Sequence, residues 1–110
     1  MKKAFIIFLA LGAAVYFVVI AASKGNADET LTGETLFKQH CAVCHPDGGN
    51  IVNPKKTLHK QDREANNVKT VADIVSKMRN PGPGMIKFDE KTIPNKQAKE
   101  IAEYVLKSLQ

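Results

Sequence analysis

Apolar residues are distributed in three unlike ways along the chain: one continuous block, two helical stripes and a long stretch with no period. The block runs unbroken from Ala4 to Ala22 without a charged side chain. After it, Leu36 and Phe37 mark the buried side of a short helix over Gly33 to His40. Val71, Ile74, Val75 and Met78 then recur at i, i+3, i+4 and i+7, behind a Thr70 N-cap with Asp73 three residues on. That helix must stop near Asn80, because Pro81 disfavours helical geometry in the residue before it and Pro83 repeats the block. A last helix starts near Pro94 or Asn95 and places Ala98, Ile101, Ala102, Val105 and Leu109 on one face. Between Pro46 and Asn67 the Gly, Asn, Pro and Lys content breaks every period, which predicts a long loop with one helical turn around Leu58 to Glu64. No segment alternates as a strand does, so the fold class is all-α, with three to four helices.

The Ala4 to Ala22 block follows Met1-Lys2-Lys3 and ends at Ser23-Lys24, which is the basic, apolar, polar order of a secretory signal. Gly25 and Ala27 suit the small positions before a cleavage point, making residues 1–27 a signal peptide and residues 28–110 the exported domain. Cleavage after Ala21 or Ala22 is the alternative, and an uncleaved anchor is the rival reading, since a block of this length can just cross a bilayer core of about 30 Å. In either case Lys2 and Lys3 hold the N-terminus inside, and the domain lies in the periplasm or on the outer side of the inner membrane.

Charge changes little once the leader is set aside. The sequence pI is 9.3. Of the net charge of +5, Lys2, Lys3 and Lys24 supply three, so the exported part carries only +2. It has no basic block with interleaved aromatics, and nucleic acid binding is unsupported. A domain this small needs something besides its own side chains to complete a core, and a long loop needs a body to wrap.

The chain has two cysteines, and they stand in Cys41-Ala42-Val43-Cys44-His45. This is the C-x-x-C-H spacing of covalent haem attachment: two thiols on one side of a helix end reach two vinyl groups, and the adjoining histidine projects toward the iron. A zinc site would have to recruit His59 as a fourth ligand and lacks a second C-x-x-C. A thioredoxin-like pair would follow a strand, whereas this motif follows a helix. Four residues compete for the second axial position. Met78 lies on a core-facing helical stripe, His40 adjoins Cys41 too closely to reach the opposite face, and His59 is only fourteen residues beyond His45. Met85 is preferred, because it follows the stiff Pro81-Gly82-Pro83-Gly84 segment with enough chain to travel round the haem edge.

These residues resemble a class I cytochrome c, and in particular the small cytochrome c6 group and its bacterial relatives. The resemblance covers about Gly33 to Leu106, through Gly33-Glu34-Thr35-Leu36-Phe37, Gly48-Gly49-Asn50, Lys56-Thr57-Leu58, Met85 in its loop and Ile101-Ala102-Glu103-Tyr104-Val105. It implies a small helical fold around one haem c, with first and last helices crossing where Gly33 and Phe37 meet Tyr104. It also implies haem on Cys41 and Cys44, His45 and Met85 as iron ligands, and electron exchange through the haem edge. Ile86 stands where that group commonly has a proline after the ligand methionine, so photosynthesis is not implied. Arg63, Lys56 and His59 are all candidates for the haem propionates.

The function expected is a non-enzymatic, one-electron carrier: a monomer that docks transiently with redox donors and acceptors and touches a membrane only through an uncleaved leader. Lys87, Lys91, Lys96 and Lys99 offer a docking patch for an acidic partner, against the plainer reading that they serve solubility. The rivals are a haem-based ligand sensor and a non-catalytic subunit of a larger oxidoreductase.

Overall fold

The computed structural model describes residues 31–110. The leader, its cleavage point and the start of the exported domain lie outside the described residues. Four α-helices and one short 3₁₀ turn form in the order α1 (Gly33–His40), the turn (Pro46–Gly48), α2 (Lys60–Ala65), α3 (Val71–Arg79) and α4 (Asn95–Ser108). Among the described residues there is no strand, and no helix is long and apolar enough to cross a membrane.

Local chemistry fixes these boundaries. Thr32 caps α1 by accepting the Thr35 N–H at 3.3 Å, and an i,i+4 pair between Glu34 and Lys38 at 2.7 Å supports its exposed face. A capping box opens α3: the Thr70 side chain accepts from the Asp73 N–H, and the Asp73 carboxylate accepts from the Lys69 and Thr70 N–H groups. Asn80 closes α3 ahead of Pro81, and α4 begins directly after Pro94, at the limits that the prolines predict.

The core forms where α1 and α3 each pack on α4. Leu36 and Phe37 from α1, Ile74 and Met78 from α3, and Ala98, Ile101, Ala102 and Val105 from α4 are all buried. At the α1–α4 crossing a Cβ on Gly33 would overlap the Glu100 carbonyl and touch the Tyr104 Cβ. The Phe37 and Tyr104 rings lie 5.4 Å apart just beyond it, so the crossing implied by the resemblance is present. Three positions differ from the periodic pattern. Val71 and Val75 are only half-buried, and Leu109 ends α4 rather than filling the core, packing instead over Gly48. Phe88 and Ile93, in the irregular segment between α3 and α4, are buried in their place.

The expected long loop is shorter and more structured than its composition suggests. Asp47 (φ 53) and Gly48 (φ 78) turn the chain sharply after the cysteine motif, and the Leu58 N–H returns to the Gly48 carbonyl at 2.7 Å. Gly48 is needed there on two counts. Its φ is positive, and a Cβ would press on the Leu109 side chain at 3.0 Å.

Candidate functional site

A cleft opens beside the core. Its apolar wall comes from Phe37, Leu58, Ile74, Met78, Ile101 and Val105, drawn from every helix except α2. Cys41 and His45 line it from the C-terminal end of α1, and Met85 lines it from the Pro81–Gly84 segment. Residues forty positions apart in sequence thus share one cavity.

The cysteine motif is a continuation of α1. The N–H groups of Cys41 and Ala42 bond to the Phe37 carbonyl, and those of Cys44 and His45 return to the Cys41 carbonyl at 3.1 and 2.8 Å. Both thiols are free and half-buried. Cys41 lines the cleft and Cys44 does not. Burial pushes the Cys41 thiol up to about 11, with the neighbouring Cys44 adding to the shift.

His45 is oriented by its own chain. Its Nδ1 lies 2.7 Å from the Gly49 carbonyl oxygen. A carbonyl can only accept, so Nδ1 carries the proton and donates it, which leaves the Nε2 lone pair free to bind a metal. The tight turn through Asp47 and Gly48 is what brings Gly49 back to the ring. The sequence reading missed this bond, although a glycine pair just after the histidine is its signal.

The other candidates separate clearly. His40 packs edge-on to Phe88 with ring centroids 6.3 Å apart, and His59 is exposed at the start of α2, away from the cleft lining. Met78 lines the cleft as part of the buried core. Of the three propionate candidates, Lys56 and Arg63 line the cleft. Arg63 is 4% exposed, and its guanidinium donates to the Leu58 carbonyl at 2.6 Å and to the Leu109 carbonyl at 3.1 Å. No carboxylate among the described residues lies within ion-pair distance of it. A buried cation held only by carbonyls suits an anionic group arriving in the cleft.

This donor set fits a haem. It offers two thiols at C-x-x-C spacing, an imidazole with its Nε2 free and a thioether in the same cavity, against an apolar wall with a cation at its margin. Among the described residues, no three His, Cys, Asp or Glu side chains converge as they would around a bare metal ion.

Comparison with known proteins agrees. The family model for cytochrome c oxidase, cbb3-type, subunit III matches residues 28–105. Cytochrome c6 of Rippkaea orientalis (strain PCC 8801 / RF-1) is 37% identical over 92 residues, which is 84% of this chain and 82% of that protein. Among solved structures, OmcF, the outer membrane cytochrome F of Geobacter sulfurreducens, is 52% identical with a TM-score of 0.69, covering 71% of this chain and 99% of that one. Cytochrome c6C of Synechococcus sp. PCC 7002 is 29% identical with a TM-score of 0.66, covering 71% and 94%.

The chain belongs to the class I c-type cytochromes, electron carriers whose cofactor is a covalently bound haem c. Within that class it resembles cytochrome c6.

Proposed function

We propose that the chain is a monohaem electron carrier working outside the cytoplasm, with haem c joined to Cys41 and Cys44 and its iron held between His45 and Met85. The observation that carries this reading is the single cleft shared by Cys41, His45 and Met85. When bound, haem supplies a reversible one-electron couple between ferric and ferrous iron. The residues set how that couple behaves. Gly49 fixes the His45 ring, so the imidazole meets the metal in one orientation. Met85 presents a soft thioether, which favours the ferrous state and raises the potential. With both residues in place no coordination position is left for a substrate, and the chain transfers electrons without performing chemistry. The apolar wall from Phe37 to Val105 would shield a bound haem from water, and Arg63 would offer its buried charge to a propionate.

The rim supplies the docking surface. Val43, Ile51, Val52 and Ile86 are exposed large apolar residues. The Ile51 N–H bonds to the Cys44 carbonyl at 3.1 Å, and a Cβ on Gly84 would lie 2.8 Å from Val52, so the cysteine turn, the following loop and the Met85 segment form one continuous border. Exposed Lys55, Lys56 and Lys87 stand in the same stretches. The matching partner is a redox protein with an apolar patch ringed by carboxylates, in a small transient interface. Export through the Ala4 to Ala22 segment completes the reading.

Optical spectra of the oxidised and reduced protein, followed by carbon monoxide, test it. The expected result is a low-spin haem c spectrum with the weak far-red iron–sulfur band, unchanged by carbon monoxide. Rapid carbon monoxide binding by the unaltered protein would instead move it to the ligand sensors. The matched family model names an oxidase subunit, which favours a permanent subunit of a larger oxidoreductase as a second reading. Purification from native membranes with a stoichiometric partner would establish that reading, and recovery of a free cytochrome would remove it.

A further inference from the structure

The Met85 segment is held unevenly. From Asn80 to Pro94 the chain has no helix, and Met85 itself has a single long backbone tether, its N–H to the Gly82 carbonyl at 3.4 Å. The entry is stiff, since Pro81 and Pro83 restrict φ, and Gly84 turns the chain at φ 89 immediately before the methionine. The exit is gathered by one side chain. Arg79, the last residue of α3, donates from Nη1 to the Phe88 carbonyl at 3.0 Å and from Nη2 to the Ile93 carbonyl at 2.9 Å and Asn95 Oδ1 at 2.9 Å. The Phe88 N–H closes the same junction on the Met78 carbonyl at 2.9 Å. Phe88 and Ile93 are both buried, so the two carbonyls have few other donors to turn to.

We infer that Arg79 is a positioning residue for Met85, clamping the exit of the ligand segment so that the thioether is presented to the iron at little entropic cost. The inference rests on the proposed His45/Met85 ligation. A planar, always-charged fork suits the task, because it reaches three acceptors on different stretches of chain at once. It also sits at the C-terminal end of α3, where a cation is favoured. Met85 is only three residues from Phe88, too short a span to absorb a displaced exit without moving the sulfur. Without Arg79 the exit keeps one backbone bond and its apolar anchors, and the iron–sulfur bond has to hold a segment that is free to swing.

The test is made on holoprotein, with imidazole binding to the ferric form and the far-red band as readouts. R79M is expected to weaken the band and to raise imidazole affinity by about tenfold or more, the scale of losing charge-assisted hydrogen bonds. R79K, which keeps the charge but loses the fork, is expected to fall between R79M and the unaltered protein. T70A, at the far end of α3, lowers stability through the capping box without touching the ligand segment and is expected to leave band and affinity unchanged. Equal imidazole affinity in R79M, R79K and the unaltered protein would overturn the inference. So would a shift in T70A as large as that in R79M at a comparable loss of stability. If R79M yields no folded holoprotein, R79K decides alone by the same criterion. M85A separates the two levels: if it keeps the far-red band, the ligation itself is wrong and the clamp has nothing to position.

Discussion

Arg63 shows how much a single residue can carry at the edge of this site. Its guanidinium is buried and bonded to carbonyls from Leu58 and Leu109, which lie on either side of α3 and α4 in sequence, so it joins the first loop to the C-terminus. Replacing it with methionine leaves both carbonyls without their donor, at a cost of about 1–3 kcal/mol for each group that stays buried. Chemical denaturation of the R63M holoprotein should show a loss on that scale. The same change removes a positive charge beside the cleft, and a cation favours the ferrous form, the less positive of the two. The reduction potential of R63M should therefore fall, as read by redox titration. A potential that does not move would place Arg63 outside the reach of the propionates. Nothing in the sequence around Arg63 marks it as buried, because one of its acceptors, Leu109, lies 46 residues away and only the fold brings it near. Arg79 was invisible for the same reason, its partners being spread from Phe88 to Asn95.

The helices, by contrast, were legible, and their legibility has local causes. Thr70 and Asp73 write the start of α3, Asn80-Pro81 writes its end, and the i, i+3, i+4, i+7 stripe names the face that carries Ile74 and Met78. Those signals act within about two turns of helix, so no tertiary knowledge was needed. The burial of Phe88 and Ile93 was not legible, since a segment without a period gives no face to assign. Two predictions belong to this scale. Gly33 marks the closest approach of α1 to α4, where a methyl group would run into the Glu100 carbonyl. G33A should lower stability by about 1–3 kcal/mol, the usual cost of overpacking, measured as a shift in the denaturation midpoint. The second concerns pH. Hydrogen bonds from the Lys69 and Thr70 backbone N–H groups, joined by the Thr70 side chain, hold the Asp73 carboxyl below its ordinary 3.8. The stabilisation that goes with this is complete above the ordinary value and disappears as pH falls through the lowered one. D73N should therefore flatten the acid limb of the stability profile below about pH 4, and an unchanged limb would assign that dependence to other carboxylates.

Taken as a whole, the described domain is built around a space. Three helices contribute buried faces, yet Phe37, Ile74, Met78, Ile101 and Val105 all turn part of their surface to a cleft rather than to one another. The only ion pair among the described residues is the exposed Glu34–Lys38 bridge, and exposed pairs of this kind are worth at most about 1 kcal/mol, so electrostatics do not make up the shortfall. On the proposed reading, haem would complete the structure as an apolar body in the cleft, held from the α1 end by the cysteine turn and from the other side by the Met85 segment. A chain deprived of that body has to leave apolar walls facing water and the Arg63 charge without an anion, and small domains have little stability to lose. The double substitution of Cys41 and Cys44 by alanine tests this directly, since it removes the covalent links while keeping the helix N-caps and every fully buried core residue. Far-UV circular dichroism of that variant, purified without haem, should show most of the helical signal lost at 25 °C and no cooperative thermal transition. Retention of a native-like spectrum with a sharp transition would mean that the contacts of α1 and α3 with α4 suffice by themselves, and that the cleft is a preformed pocket rather than a missing part of the core.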